Sequence, residues 1–224
     1  MTKNTKKLPI ETEFDLVTCL ADKLQPEFQT DVFVKEFSAG YGIADLVFAR
    51  SFYSKENVLK RKPISNYFAL ELYLSMPENT SLSLRDIASL VHLSPSSLRL
   101  VVISLVNDKY LEAVGLNTFR KIGYIESPVK KLVAIEAKLK DWKQGIMQAR
   151  RYRSFTDECY LAILARYDKN IDYGYLERCD VGLILFDENT GDIELKRRPA
   201  EGQTLSFYRD ETNFFAKELF LASI

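Results

Sequence analysis

Two hydrophobic periods alternate along the chain, one helical and one of two residues. From about Thr12 to Lys23 the spacing is helical: Glu13, Val17, Leu20 and Leu24 fall on one stripe at i, i+4, i+7 and i+11. The stripe is apolar except at Glu13. An acidic residue in a first turn is also favoured by the helix dipole, so capping competes with chemistry as its role. Asp31–Phe37 and Tyr41–Ala49 are β-rich runs joined by Ser38-Ala39-Gly40, which predicts a hairpin. Asp45 interrupts the second run between Ala44 and Leu46. Asp is depleted from strand interiors, and burying its carboxylate is costly unless a cation or donors compensate. A structural Asp bonded to a turn is the competing reading.

Val133-Ala134-Ile135-Glu136-Ala137-Lys138-Leu139 is apolar enough for an inner strand, yet carries a Glu and a Lys two positions apart. Strand side chains alternate faces, so Glu136 and Lys138 point one way while Ile135, Ala137 and Leu139 point the other. A solvated edge strand would produce the same triplet. Asp141–Ser154 then reads as a helix with Trp142, Ile146 and Ala149 inward. Gly145 costs about 1 kcal/mol against Ala there, which points to close packing. Glu158–Ala165, Val181–Phe186 and Asp192–Lys196 read as strands, and Tyr173–Arg178 as a short helix. Asp187–Gly191 is a turn. Arg209–Ser223 is an amphipathic helix with Phe214, Phe215, Leu219 and Phe220 on its apolar side.

Between about Pro63 and Ile122 the character changes. Ile64–Ser75 is helix-like and stops before Pro77. Ser83–Val91 opens with an imperfect capping box, Ser83 and Asp86. His92–Ser97 supplies a turn, with Ser94 as N-cap and Pro95 at the first position of a helix running to about Lys109. His92 is treated as structural. Tyr110–Ala113 and Thr118–Ile122 flank Gly115-Leu116-Asn117 as a hairpin. This order resembles a winged helix-turn-helix. The resemblance implies a second helix in the DNA major groove, with Ser96, Ser97 and Arg99 as contacts and Arg120 and Lys121 on the wing. A winged helix used for protein contact or oligomerisation is the competing reading.

Composition narrows the classes. The chain has 224 residues, 46% hydrophobic and 28% charged, as in ordinary globular proteins. Apolar runs fall short of the roughly 20 residues that span a bilayer. No apolar segment follows the charged N-terminus, so no signal peptide is expected. Cys19, Cys159 and Cys179 share no metal-ligand spacing, and a reducing, cytoplasmic setting is expected. A single histidine, His92, argues against a His-rich metal site or a His-based triad. Net charge is zero, which neither favours nor excludes nucleic acid, because distribution matters more than the sum. Basic clusters stand at Lys60-Arg61-Lys62, Arg120-Lys121, Lys130-Lys131, Arg150-Arg151-Tyr152-Arg153 and Lys196-Arg197-Arg198.

With the middle segment set aside, the order is helix with Glu13, hairpin with Asp45, strand with Glu136 and Lys138, helix, strand. In that order the chain resembles the PD-(D/E)xK nuclease superfamily, the restriction-endonuclease-like fold that includes Holliday-junction resolvases and RecB-type nucleases. Asp45, within Gly42-Ile43-Ala44-Asp45, matches the family's first acidic residue, without the family's Pro. Glu136-Ala137-Lys138 matches the (D/E)xK element. Gln148-Ala-Arg-Arg-Tyr152 matches the Gln-x-x-x-Tyr motif of the RecB-like branch, its ends on one helical face. The resemblance spans residues 10–50 and 125–190. The family usually joins its two acidic residues by a short connection. Here the winged-helix-like segment intervenes, as an insertion at a hairpin tip would.

The resemblance implies an α/β (α+β) fold: a restriction-endonuclease-like mixed sheet of about four or five strands flanked by helices, with an inserted, mostly helical winged-helix domain. Residues 1–55 with 123–224 would form the core and 56–122 the insertion. Asp45 and Glu136 would ligate Mg²⁺ (or Mn²⁺) with the backbone carbonyl of Ala137, and Glu13 would hold it through water or bind a second ion. Lys138 would position water or stabilise developing phosphate charge. Gln148 and Tyr152 would approach the site and the substrate backbone. Without metal the carboxylates would repel one another and raise at least one pKa. The expected activity is metal-dependent DNA endonuclease on duplex or branched DNA, with homodimerisation open and no membrane partner. The alternatives are a catalytically silent DNA-binding regulator and a protein-interaction module on a nuclease-like scaffold.

Overall fold

The computed structural model describes residues 10–52, 61–200 and 209–224. In chain order they form α1 (Glu13–Phe28), β1 (Phe33–Ser38) and β2 (Ile43–Phe52). Next come α2 (Tyr67–Ser75), β3 (Ser81–Ser83), α3 (Leu84–Ala88), α4 (Pro95–Asn107), β4 (Leu111–Gly115) and β5 (Thr118–Lys121). The chain ends with β6 (Val129–Lys138), α5 (Trp142–Tyr152), β7 (Glu158–Leu164), a 3₁₀ turn (Ala165–Asn170), α6 (Tyr173–Cys179), β8 (Gly182–Phe186), β9 (Ile193–Arg197) and α7 (Arg209–Ala222). No helix among the described residues is long and apolar enough to cross a membrane.

Two compact units result: residues 10–52 with 129–200 and 209–224, and residues 61–128. The expected boundary at 122 shifts to 128 because the intervening residues pack within the second unit. The Tyr73 hydroxyl donates to Gly123 O at 2.7 Å, and Ile125 is buried. The expected boundary at 55 and the basic residue Lys60 lie outside the described residues.

The first unit is built on a six-stranded mixed sheet, β1-β2-β6-β7-β8-β9, with the β6–β7 and β7–β8 pairs parallel and the others antiparallel. That is more than the four or five strands expected. Phe52 pairs with Val129, so the chain leaves and re-enters this sheet at partnered residues, and a long segment can intervene without breaking it. Leu46, Phe48, Val133, Ile135, Ala137 and Tyr160 form one face and pack against Leu16, Leu20, Leu24 and Phe28 of α1. Burying each Leu contributes about 1.5–3 kcal/mol, so packing rather than propensity holds α1. Its start is fixed by a capping box between Thr12 and Asp15. Its end lies beyond the expected Lys23, because the apolar stripe continues to Phe28 through Pro26.

On the other face α5 buries Gly145, Ile146, Ala149 and Tyr152. Trp142, expected inward, is half-buried edge-on against Tyr175 at 6.4 Å. The apolar side of α7 is rotated from expectation: Asn213, Ala216, Phe220 and Leu221 are buried, while Phe214, Phe215 and Leu219 are half-buried.

In the second unit α2, α3 and α4 accompany a three-stranded sheet ordered β3-β5-β4. Both arms of the Ser83–Asp86 box form, and Ser94 caps α4 ahead of Pro95. Leu70, Tyr73, Ile87, Leu98, Val102, Leu105 and Tyr110 are buried in this unit. The strand β3 was not expected: Ser81-Leu82-Ser83 is too short and polar to show a period.

Candidate functional site

β6 is an inner strand buried from Leu132 onward, not a solvated edge. Its register with β2 runs from Phe52↔Val129 to Leu46↔Ile135. One step further, the same register sets Asp45 opposite Glu136, with both side chains on one face. The ladder ends at that step. The Ala137 amide donates to Asp45 Oδ2 at 2.7 Å, in place of a ladder carbonyl. A strand residue's N–H and C=O point to the same side, so the Ala137 carbonyl also faces the Asp45 edge. The end of one β-ladder thus gathers two carboxylates and a backbone oxygen.

Glu136 is 1% exposed. Its Oε1 lies 2.8 Å from Lys138 Nζ, and its Oε2 meets the Tyr152 hydroxyl. That hydroxyl also donates to Ile43 O at 2.7 Å. One phenol hydrogen cannot serve both oxygens. A proton on Glu136 would supply the second bond. Lys138 in turn reaches Glu13 Oε2 at 3.1 Å, from the exposed first turn of α1. The acidic residue of that turn is therefore an ion-pair partner of the site, while Asp15 does the capping.

α5 covers this cluster closely. A Cβ on Gly145 would lie 2.5 Å from Leu161 Cδ1 and 2.9 Å from Lys138 Cγ. Only glycine lets the helix come so near, which accounts for its place in a helix interior. Gly145 over Lys138 and Tyr152 on Glu136 define one stripe of α5, and Gln148 lies between them at i+3. Gln148 Oε1 is buried, with no hydrogen-bond partner among the described residues. Tyr152 is 2% exposed, so it orients Glu136 from within and does not present itself to a substrate backbone as expected.

Burial raises Asp45 above the usual carboxylate range, against the Ala137 amide and Lys138. Burial and then the Asp45 charge raise Glu136. Burial alone would lower Lys138, but Glu136 and Glu13 outweigh it and its net shift is upward. Burial and Glu136 also raise Tyr152. The expected mutual repulsion of the acids is present, but burial is the larger cause.

Among the described residues no three His, Cys, Asp or Glu side chains form a metal cage. The donors at the ladder's end nonetheless suit a hard cation such as Mg²⁺, which usually takes one or two carboxylates and keeps several waters. Asp45, Glu136 and the Ala137 carbonyl all offer oxygen donors, and each bonded carboxylate oxygen retains a second lone pair. The Gln148 side-chain oxygen, on the same stripe of α5, is buried without a proton donor among the described residues.

The surface residues expected to meet DNA divide. Ser96 and Arg99 are exposed on α4, and the Ser97 amide donates to Ser94 Oγ at 3.2 Å. Arg120 is exposed but paired with Glu112 at 2.6 Å. Lys121 does not face outward: it is 9% exposed, with Nζ 4.4 Å from the Tyr73 ring centroid and donating to Met76 O. Cation–π contact and a carbonyl retain its ammonium inside the unit. Of the other basic clusters, Arg153 is buried in a pair with Asp180 at 2.8 Å, and Arg198 reaches Glu27 at 2.6 Å.

Three neighbours of the site were missed. Phe14, Lys35 and Glu36 line a pocket of about 320 Å³ with Glu13, Val17 and Asp45. Phe14 left a legible signal, an aromatic off the apolar stripe of an amphipathic helix. Glu36 left none: it stands opposite Asp45 in the hairpin but drops out of the register, with φ at 52°. The chain matches no family model, no curated protein and no solved structure.

Proposed function

We propose that the first unit hydrolyses phosphodiester bonds in DNA with a divalent cation, Mg²⁺ or Mn²⁺, on a restriction-endonuclease-like sheet. The observation that carries this reading is Asp45 opposite Glu136 at the end of the β2–β6 ladder, with Lys138 on the same strand face. Asp45, Glu136 and the Ala137 carbonyl would hold the metal. When bound, it would lower the pKa of a water and offset charge at phosphorus. Lys138, kept cationic by its two glutamates, provides charge for a developing oxyanion and aligns water against it. Tyr152 sets the Glu136 carboxylate through its hydroxyl, and Ile43 O fixes that ring in turn. Gln148 supplies an amide toward the same cluster. Glu13 anchors Lys138 and closes the site from α1.

The second unit, on this reading, is winged-helix-like and brings Ser96, Ser97 and Arg99 of α4 to DNA. A second reading of that unit is favoured by a specific observation: α4 also exposes Leu100 at 69% and Ile103 at 55%, while Lys121 is buried. An apolar helix face of this kind suits a protein partner.

The test is cleavage of supercoiled, linear, single-stranded and branched DNA with Mg²⁺, with Mn²⁺ and with EDTA. Metal-dependent nicking or cutting of any of them is expected. A protein inert on all four with both metals would leave the ion cluster as scaffold.

A further inference from the structure

The pocket beside the proposed site has a composition unlike that of the site itself. Phe14 forms one wall and is 70% exposed, a large apolar ring left in water in the first turn of α1. Lys35 stands with its ammonium 6.0 Å from the ring centroid. Glu13, Val17, Glu36 and Asp45 complete the lining. Asp45 belongs at once to this pocket and to the ladder end that holds Glu136.

Resting on the nuclease reading above, we infer that this pocket receives an unpaired nucleobase next to the scissile phosphate, so that the substrate class is DNA with a single-stranded stretch. Charge, shape, hydrogen-bonding groups and volume select that occupant. A phosphate would be disfavoured by three carboxylates that outnumber Lys35 and the Lys138 ammonium paired with Glu13. A base has no such penalty, and its flat face suits an exposed aromatic ring, as in single-strand binders generally. The carboxylates are acceptors only, matched to the exocyclic amines of cytosine, adenine or guanine and mismatched to the carbonyl edge of thymine. The volume of about 320 Å³ is at the small end for ligand pockets, which suits one base rather than a stacked pair. A base within duplex is paired and stacked and would have to leave the stack to enter, so a flap, overhang or loop supplies it at lower cost. Lys35 at the rim is placed for the phosphate that follows the bound base.

The experiment is equilibrium binding in EDTA, where nothing is cut, by fluorescence anisotropy of labelled dC, dA and dT oligonucleotides, a blunt duplex, and the same duplex with a single-stranded overhang. The wild type should prefer the overhang to the blunt duplex and dC or dA to dT. Phe14→Ala should weaken the overhang and single-strand complexes about ten-fold or more, the range for losing one base stack. Phe14→Trp should restore them, and neither variant should change blunt-duplex affinity. Glu36→Gln should narrow the dC-over-dT difference. The ring is mostly exposed, so Phe14→Ala should melt with the wild type. Equal losses on every DNA, no loss, or no single-strand binding by the wild type would overturn the pocket. These outcomes are independent of cleavage. A wild type that cuts DNA while Phe14→Ala binds normally sinks the pocket alone. One that binds as expected but never cuts sinks only the nuclease reading.

Discussion

Removing the lysine and neutralising the aspartate of one site should change stability in opposite directions. Lys138→Met keeps a stem of similar length beneath Gly145 but deletes the ammonium that touches Glu136 at 2.8 Å and Glu13 at 3.1 Å. Glu13 is half-exposed and returns to water. Glu136 is 1% exposed and retains only the Tyr152 hydroxyl. A buried pair broken from one side costs about 3–5 kcal/mol, and the hydroxyl that remains puts the expectation near the lower figure, about 3 kcal/mol at pH 8. The sign with pH follows from Glu136. Its folded-state pKa is already above the unfolded value, so the folded form binds its proton more tightly. Stability from that proton is present at low pH and is lost as pH rises from the unfolded value of about 4.3 through the folded one. Without Lys138 the folded value rises further, so the deficit of the variant should shrink at pH 5. Asp45→Asn does the reverse. A carboxamide oxygen still accepts the Ala137 amide, while a half-buried charge facing Glu136 disappears, for a gain that solvent screening keeps below about 1 kcal/mol without metal. Urea unfolding of both variants and the wild type at pH 5 and pH 8, in EDTA, measures all of this. A Lys138→Met deficit below about 1 kcal/mol, or one that is the same at both pH values, would refute the reasoning.

Two other expectations can be checked on the same footing. Gly145→Ala gains about 1 kcal/mol of helix propensity but forces a methyl into Leu161 and Lys138, so a net loss of up to about 2 kcal/mol in urea unfolding is expected, together with weaker cleavage. Arg99→Ala should lower the salt slope of DNA binding by about one unit, whereas Lys121→Ala should lower the melting temperature and leave that slope alone, because its ammonium is held over Tyr73; equal slopes for wild type and Arg99→Ala would favour the protein-docking reading of α4.

The strand of Glu136 and Lys138 was legible because alternation places both charges on one face whatever the neighbours do. The hairpin of Asp45 and the stripe of α1 were legible for the same local reason. The meeting of Asp45 with Glu136 depends on register, and register is set by the whole run of partners from Phe52↔Val129 to Leu46↔Ile135. The sequence order suggested that meeting only through a family resemblance. Lys121 was misplaced because a basic residue on a hairpin looks the same whether its stem lies along the surface or its ammonium turns onto a buried tyrosine. Tyr152 was misjudged in a similar way. Spacing of four put it on the face of Gln148, but only packing shows that the face is closed by Gly42 and Glu136. Glu36, at positive φ within β1, and the short β3 carry no periodic signal at all.

The most direct test sets wild type against Asp45→Asn in DNA cleavage with Mn²⁺, at temperatures where both are fully folded. Because the variant is expected to be the more stable protein, lost activity cannot be assigned to unfolding. The metal site predicts cleavage by the wild type that EDTA abolishes, and a loss of at least about 100-fold in Asp45→Asn with blunt-duplex affinity in EDTA unchanged. Equal cleavage by the two proteins, or none by the wild type, would contradict it.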